Sequence, residues 1–142
     1  MVELDHSFST GKPVDYNWEA ILDLDRVIPC VEGGRVIERM SPESAKAEIK
    51  VRMGAMSLTF TGTVEVAERD DGEHRAVLRI KSKEKSGQGH ANADVTFDLQ
   101  DGGGTIHTAA QISGKAASMG EGVMVTVLDA LIEDFTRKLA SI

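Results

Sequence analysis

The amino-acid sequence predicts an α+β fold: a curved antiparallel sheet of seven strands closed over one long C-terminal helix, with two short helices between strands 1 and 2. Three observations carry this expectation. From about Gly34 to Ile112, apolar and polar residues alternate with a period of two, the signature of strands buried on one face. Short Gly- and Asp-containing turns separate these runs, leaving no room for crossover helices, so neighbouring strands must be antiparallel. Beyond Ala117 the period switches to 3.6 and holds to Leu139.

Taken in order, Val2, Leu4, His6 and Phe8 alternate with Glu3, Asp5, Ser7 and Ser9, which makes the first strand. Gly11-Lys12-Pro13 breaks it, and Pro13, with its fixed φ, suits the start of a helix. Val14, Trp18, Ile21 and Leu22 then share one helical face, with Asp15 near the positive end of the helix dipole. Asp23 to Ile28 reads as a second short helix that Pro29 stops. After Gly33-Gly34 the inner faces of successive strands carry Ala45 to Met53, Leu58 to Val66, Ala76 to Ile80, Ala91 to Leu99 and Ile106 to Ile112, every second residue in each case. The final helix presents Gly120, Val123, Met124, Val127, Leu128, Leu131, Ile132, Phe135 and Leu139 as one stripe, which must cover the apolar face of the sheet. Gly62, Ala91, Ala93 and Ala110 are small and inward, so an apolar cavity is expected beneath that helix.

The 142 residues amount to one domain, 1–142, large enough for a core without staples. A net charge of −7 excludes a nucleic-acid binder, which needs a basic footprint, and limits any membrane contact to a peripheral one. The start, Met1-Val2-Glu3-Leu4-Asp5, has neither the basic nor the apolar region of a signal peptide, and the one cysteine, Cys30, has no internal partner. The expected setting is the cytoplasm or the inner face of the membrane, as a monomer or weak dimer.

Leu4-Asp5-His6-Ser7-Phe8, Trp18, Leu22-Asp23 and Pro29-Cys30 resemble the N-terminal signature of the carbon monoxide dehydrogenase G-subunit (CoxG) family. So do Gly54-Ala55-Met56-Ser57-Leu58-Thr59-Phe60-Thr61-Gly62, then His74-Arg75-Ala76 leading to Gly87-Gln88-Gly89-His90-Ala91, and Ile112-Ser113-Gly114-Lys115-Ala116-Ala117-Ser118-Met119-Gly120. The resemblance implies the helix-grip, START-like fold of the polyketide-cyclase-like superfamily. It also implies an accessory protein of molybdenum-containing carbon monoxide dehydrogenases and related hydroxylases, which recruits the enzyme to the membrane and handles a quinone in its cavity. Two departures stand out: Val31-Glu32-Gly33 replaces the family's hydrophobic-Pro-Gly, and the longer members' C-terminal extension is not matched after Ile142.

The expected cavity lining is His6, Trp18, Met53, Met56, Phe60, Phe97, Met119, Val123, Met124 and Val127. The methionines suit a mobile apolar ligand because the thioether is flexible and polarizable, though they serve equally as core filler. His6, inward on an apolar strand, is either a hydrogen-bond donor to a ligand carbonyl or a satisfied core histidine. Metal binding is rejected, because no His pair has helical ligand spacing and one cysteine makes no zinc cluster. Cys30 lacks a signature base and reads as a small buried residue; Asp23 and Asp25 read as helix caps. Gly87-Gln88-Gly89 and Gly102-Gly103-Gly104 precede no helix and read as hairpin turns, with a gate at the cavity as the alternative. Arg79, Lys81, Lys83 and Lys85 share an outer face, with Lys46, Lys50 and Arg52 nearby, either as a solvated face or as a dock for an acidic partner.

Three functions are consistent with these residues. The first is a non-enzymatic binder of a lipophilic small molecule, a quinone or similar, needing no cofactor and serving molybdenum hydroxylase subunits. The second is a ligand-free docking module. The third is a cyclase- or hydrolase-like enzyme, for which His6 and Thr108 are the only inward polar candidates and no catalytic constellation is convincing.

Overall fold

The structure, a computed structural model, describes residues 1–142 apart from the side chain of Met53. Seven strands are built: β1 (Val2–Ser9), β2 (Gly34–Ser41), β3 (Ser44–Met53), β4 (Met56–Asp70), β5 (Arg75–Glu84), β6 (Gly89–Gln100) and β7 (Gly103–Gly114). They form one antiparallel sheet in the order β1-β7-β6-β5-β4-β3-β2, a meander from β2 to β7 with β1 returning beside β7. The helices are α1 (Val14–Leu22), α2 (Leu24–Val27) and α3 (Glu121–Leu139), with 3-10 turns at Ile28–Cys30 and Ala117–Met119. This is the predicted helix-grip architecture.

The alternation read from sequence sets the inner face. Ala76, Leu78, Phe97, Leu99, Ile106 and Ala110 are all buried there, while Lys81, Lys83 and Asn92 face out. The two edge strands are protected differently: β1 lies beside α3, whereas β2 carries two register shifts, between Val36 and Glu38 and between Arg39 and Ser41, which spoil a flat edge. Gly62 has a specific task. A Cβ there would lie 1.9 Å from the Lys81 carbonyl oxygen, so glycine lets β4 and β5 approach, rather than merely leaving space inside.

Three boundaries differ from expectation. Pro29 does not end α2 but sits within the following 3-10 turn, where its missing N–H costs nothing. Glycine at 120 adopts φ 96°, which an L side chain resists, so the final helix starts at Glu121 and the segment from Ala117 forms a separate turn. The first backbone N–H of α1 is capped from far away, Val14 N donating to Asp101 Oδ1 at 2.8 Å.

Two apolar clusters result. The larger joins Trp18, Ile21 and Leu24 of the small helices to Phe97, Ile106, Phe135 and Leu139. The smaller joins Met124 at the head of α3 to Val51, Leu58, Phe60 and Ala116. In the larger cluster, Phe135 of the helix meets Phe97 of the sheet edge-on at 6.2 Å.

A candidate ligand cavity beneath the final helix

Between sheet and helix lies a cavity of about 230 Å³. Its floor includes Gly62, Leu78, Ala93, Val95, Phe97, Thr108 and Ala110; its roof is Leu128, Leu131, Ile132 and Phe135; Val27, Ile28 and Val31 close one side. Ala93 and Ala110 face each other across β6 and β7, and two small side chains in the middle of the sheet leave the helix with nothing to touch there. An apolar cavity of 150 Å³ holds benzene, so by proportion this one holds roughly nine carbons.

Polar groups are scarce in the wall. The Ser82 hydroxyl donates to the Ala91 carbonyl at 2.6 Å and is therefore spent. Glu48 alternates with Ala47 and Ile49 and meets Arg35 at 3.3 Å, the strand partner opposite it. Thr108 is only 5% exposed, and its Oγ1 has no hydrogen-bond partner.

Of the expected lining residues, Phe60 and Phe97 stand in the cavity wall. Met53 lies outside the described residues. The others require correction, since none of them lines the cavity. Trp18 packs in the larger cluster, and its Nε1 donates to Asp71 Oδ1 at 2.9 Å while His74 meets its ring edge-on. That puts its polar edge towards an open, largely charged surface groove of about 480 Å³, which also includes Asp15, Arg69 and His74. Met124, Met119 and Val127 belong to the smaller cluster, with Met119 Cε 3.6 Å from where a Cβ on Gly54 would stand. Met56, half-buried, begins β4 at that same turn. Val123 is 37% exposed. The physical reason is common to the α3 residues: the helix sits so that its middle, from Leu128 on, spans the hollow, and its head plugs the end of the sheet.

His6 is inward, as alternation predicts, but its Nε2 contacts Asp129 Oδ1 at 2.7 Å and so fastens β1 to α3. Glu133 lies one helical turn on, and ligand-capable atoms of His6, Asp129 and Glu133 fall within 4.8 Å of one another. Sequence spacing does not reveal this trio, because 123 residues separate His6 from Asp129.

The remaining candidates have structural partners. Cys30 is buried, its thiol pushed up chiefly by burial, with Sγ 3.4 Å from the Arg26 carbonyl. Asp23 caps α2 through Asp25 N at 3.1 Å, and Arg39 lies 2.9 Å from Asp25. In the loop that departs from the family pattern, Gly33 has φ 77° and a Cβ on it would be 2.5 Å from the Lys50 carbonyl, so this glycine is needed. The Gly87-Gln88-Gly89 turn is held by buried Glu84, which accepts from Ser86, from Thr59 N at 3.3 Å and from Gln88 N at 3.4 Å. The Ser86 hydroxyl, first among these donors, keeps the Glu84 carboxyl below the usual range. Sequence reasoning missed Glu84; its place on the inner face, opposite Phe60, was the available signal.

On the outer face, Thr59, Thr61 and Thr63 of β4 form a column. Lys46 and Lys50 flank it on β3, and Lys81 and Lys83 on β5. Among the described residues, these lysines, with Arg52 and Lys85, are exposed and form no ion pair, whereas Arg79 pairs with Asp94 at 2.9 Å. No helix is long and apolar enough to cross a membrane.

Solved structures with this fold include a conserved protein from Geobacillus kaustophilus, 21% identical over 99% of this chain and 93% of that one, with a TM-score of 0.83. The ZhuI aromatase/cyclase from Streptomyces sp. R1128 is 12% identical over 99% and 92%, TM-score 0.61. Ginseng major latex-like protein 151 from Panax ginseng is 9% identical over 99% and 95%, TM-score 0.62. These likenesses establish the fold. No curated protein sequence matches the chain. Residues 7–142 match the model of one family, CoxG, described as the G subunit of carbon monoxide dehydrogenase. With that match running from the first strand to the last residue, the chain belongs to the CoxG family.

Proposed function

We propose that this protein is a non-enzymatic binder of a lipophilic small molecule, a quinone or similar, serving a molybdenum hydroxylase of the carbon monoxide dehydrogenase type. The observation that carries the reading is the 230 Å³ apolar cavity between sheet and helix. Each buried methylene is worth about 0.8 kcal/mol, so about nine carbons supply up to roughly 7 kcal/mol before the cost of association. A ring headgroup or about two isoprene units fill that volume; a longer tail runs out of it. A binder rather than an enzyme is favoured because the one ionisable wall residue, Glu48, is engaged by Arg35. Organic extraction of the purified chain followed by mass spectrometry should release a lipophile, and titration calorimetry should show uptake of indane, a nine-carbon bicycle. A chain that yields no lipophile and takes up no indane refutes the reading.

The unpaired cations around the threonine column favour a second role alongside the first: this face docks on an acidic surface of the partner enzyme. In a chain of net charge −7, such a patch steers one face only. Charge reversal at Lys81 and Lys83 should weaken capture of dehydrogenase subunits while leaving the unfolding midpoint in place. Undiminished capture removes the patch from the function.

A further inference from the structure

We infer that the Thr108 hydroxyl is the polar anchor of the cavity, and that the ligand is a mainly hydrocarbon molecule bearing a hydrogen-bond-accepting oxygen, such as a ring ketone. This rests on the carrier reading above. Thr108 is in mid-strand on β7, flanked by Leu4 on β1 and Val95 on β6. It faces the cavity in alternation with buried Ile106 and Ala110. Its hydroxyl is buried without a partner. The other inward hydroxyl, that of Ser82, is already donated to Ala91.

An orphan hydroxyl in a low-dielectric hollow is costly, and valine has the same shape without that cost. Water does not settle the account. A buried water needs two to four polar partners, and this wall offers one free group. A ligand oxygen does settle it: the hydroxyl proton points at the cavity, the hydrocarbon remainder fills the apolar walls, and one bond fixes which end of the ligand enters.

The test compares two bicycles of one shape, indane and 1-indanone, which differ by a carbonyl oxygen, on the full chain and its Thr108→Val variant. The valine variant should lose about tenfold in affinity for 1-indanone, the worth of one neutral hydrogen bond, and stay within about twofold for indane. Without ligand its unfolding midpoint should rise by a few degrees, because the orphan group is gone. Thr108→Ser should keep the wild-type preference between the probes; Thr108→Ala should lose it, and serves if the valine variant does not fold. Equal changes for both probes, or an unchanged preference in both hydroxyl-free variants, overturn the assignment while leaving the cavity intact. If neither probe binds the wild-type chain, the cavity reading falls and the anchor falls with it.

Discussion

Filling the hollow from its floor separates a ligand cavity from an incidental gap. Ala93 stands in mid-sheet with Ile80 and Ala110 as cross-strand partners and faces the cavity. Ala93→Leu adds three carbons. In the proportion set by a benzene-sized cavity they take about 75 Å³, leaving room for roughly six carbons instead of nine. Burying them favours folding by about 2.4 kcal/mol, and imperfect rotamers cost about 1–3 kcal/mol, so the ligand-free protein should change by no more than about 1 kcal/mol. A nine-carbon ligand forfeits the burial of about three carbons, so indane should bind about 60-fold more weakly. Titration calorimetry and urea unfolding of the same two proteins read both quantities. Unchanged indane affinity in a normally folded variant would mean that the ligand sits elsewhere. A stability loss beyond about 3 kcal/mol would mean that the space is already occupied by protein.

Two further outcomes follow from individual residues. Gly62→Ala should destabilise by at least about 2 kcal/mol, because the new Cβ meets the backbone of Lys81 and Ser82, at 1.9 and 2.6 Å, and no rotamer change relieves it; a cost under about 0.5 kcal/mol in urea unfolding would show that β4 and β5 are not pinched there. His107 should titrate above its ordinary value of about 6.5, because Asp5 Oδ1 lies 2.7 Å from Nδ1 and Glu3 adds to it at 3.4 Å from Nε2. A raised folded-state value means that the protonated pair favours folding fully below about pH 6.5 and that this contribution fades as pH rises through the raised value. The histidine resonance should move to lower pH in Asp5→Asn; a titration that ignores this substitution would remove the pair.

The strands and their inner faces were legible in the sequence, because the pleat alternates every residue and burial must follow it. Phe8, Phe60, Leu78, Phe97, Ile106 and Ala110 all fall inward on that rule alone. The long helix was legible for the same local reason, as was the family, whose motifs run in order along the chain. Where α3 rests along the sheet is a different kind of fact. Its stripe from Met124 to Leu139 is apolar throughout, so periodicity shows which side faces in but not which turn lies over the hollow. Packing decided that Met124 plugs the end of the sheet and that Leu128, Leu131 and Ile132 roof the cavity. Packing likewise joined His6 to Asp129, and capped α1 with Asp101, because contacts between distant segments depend on how whole elements dock. The sequence by itself determined which residues are inside; the tertiary structure decided which of those remain uncovered, and left the hydroxyl of Thr108 as the orphan among them.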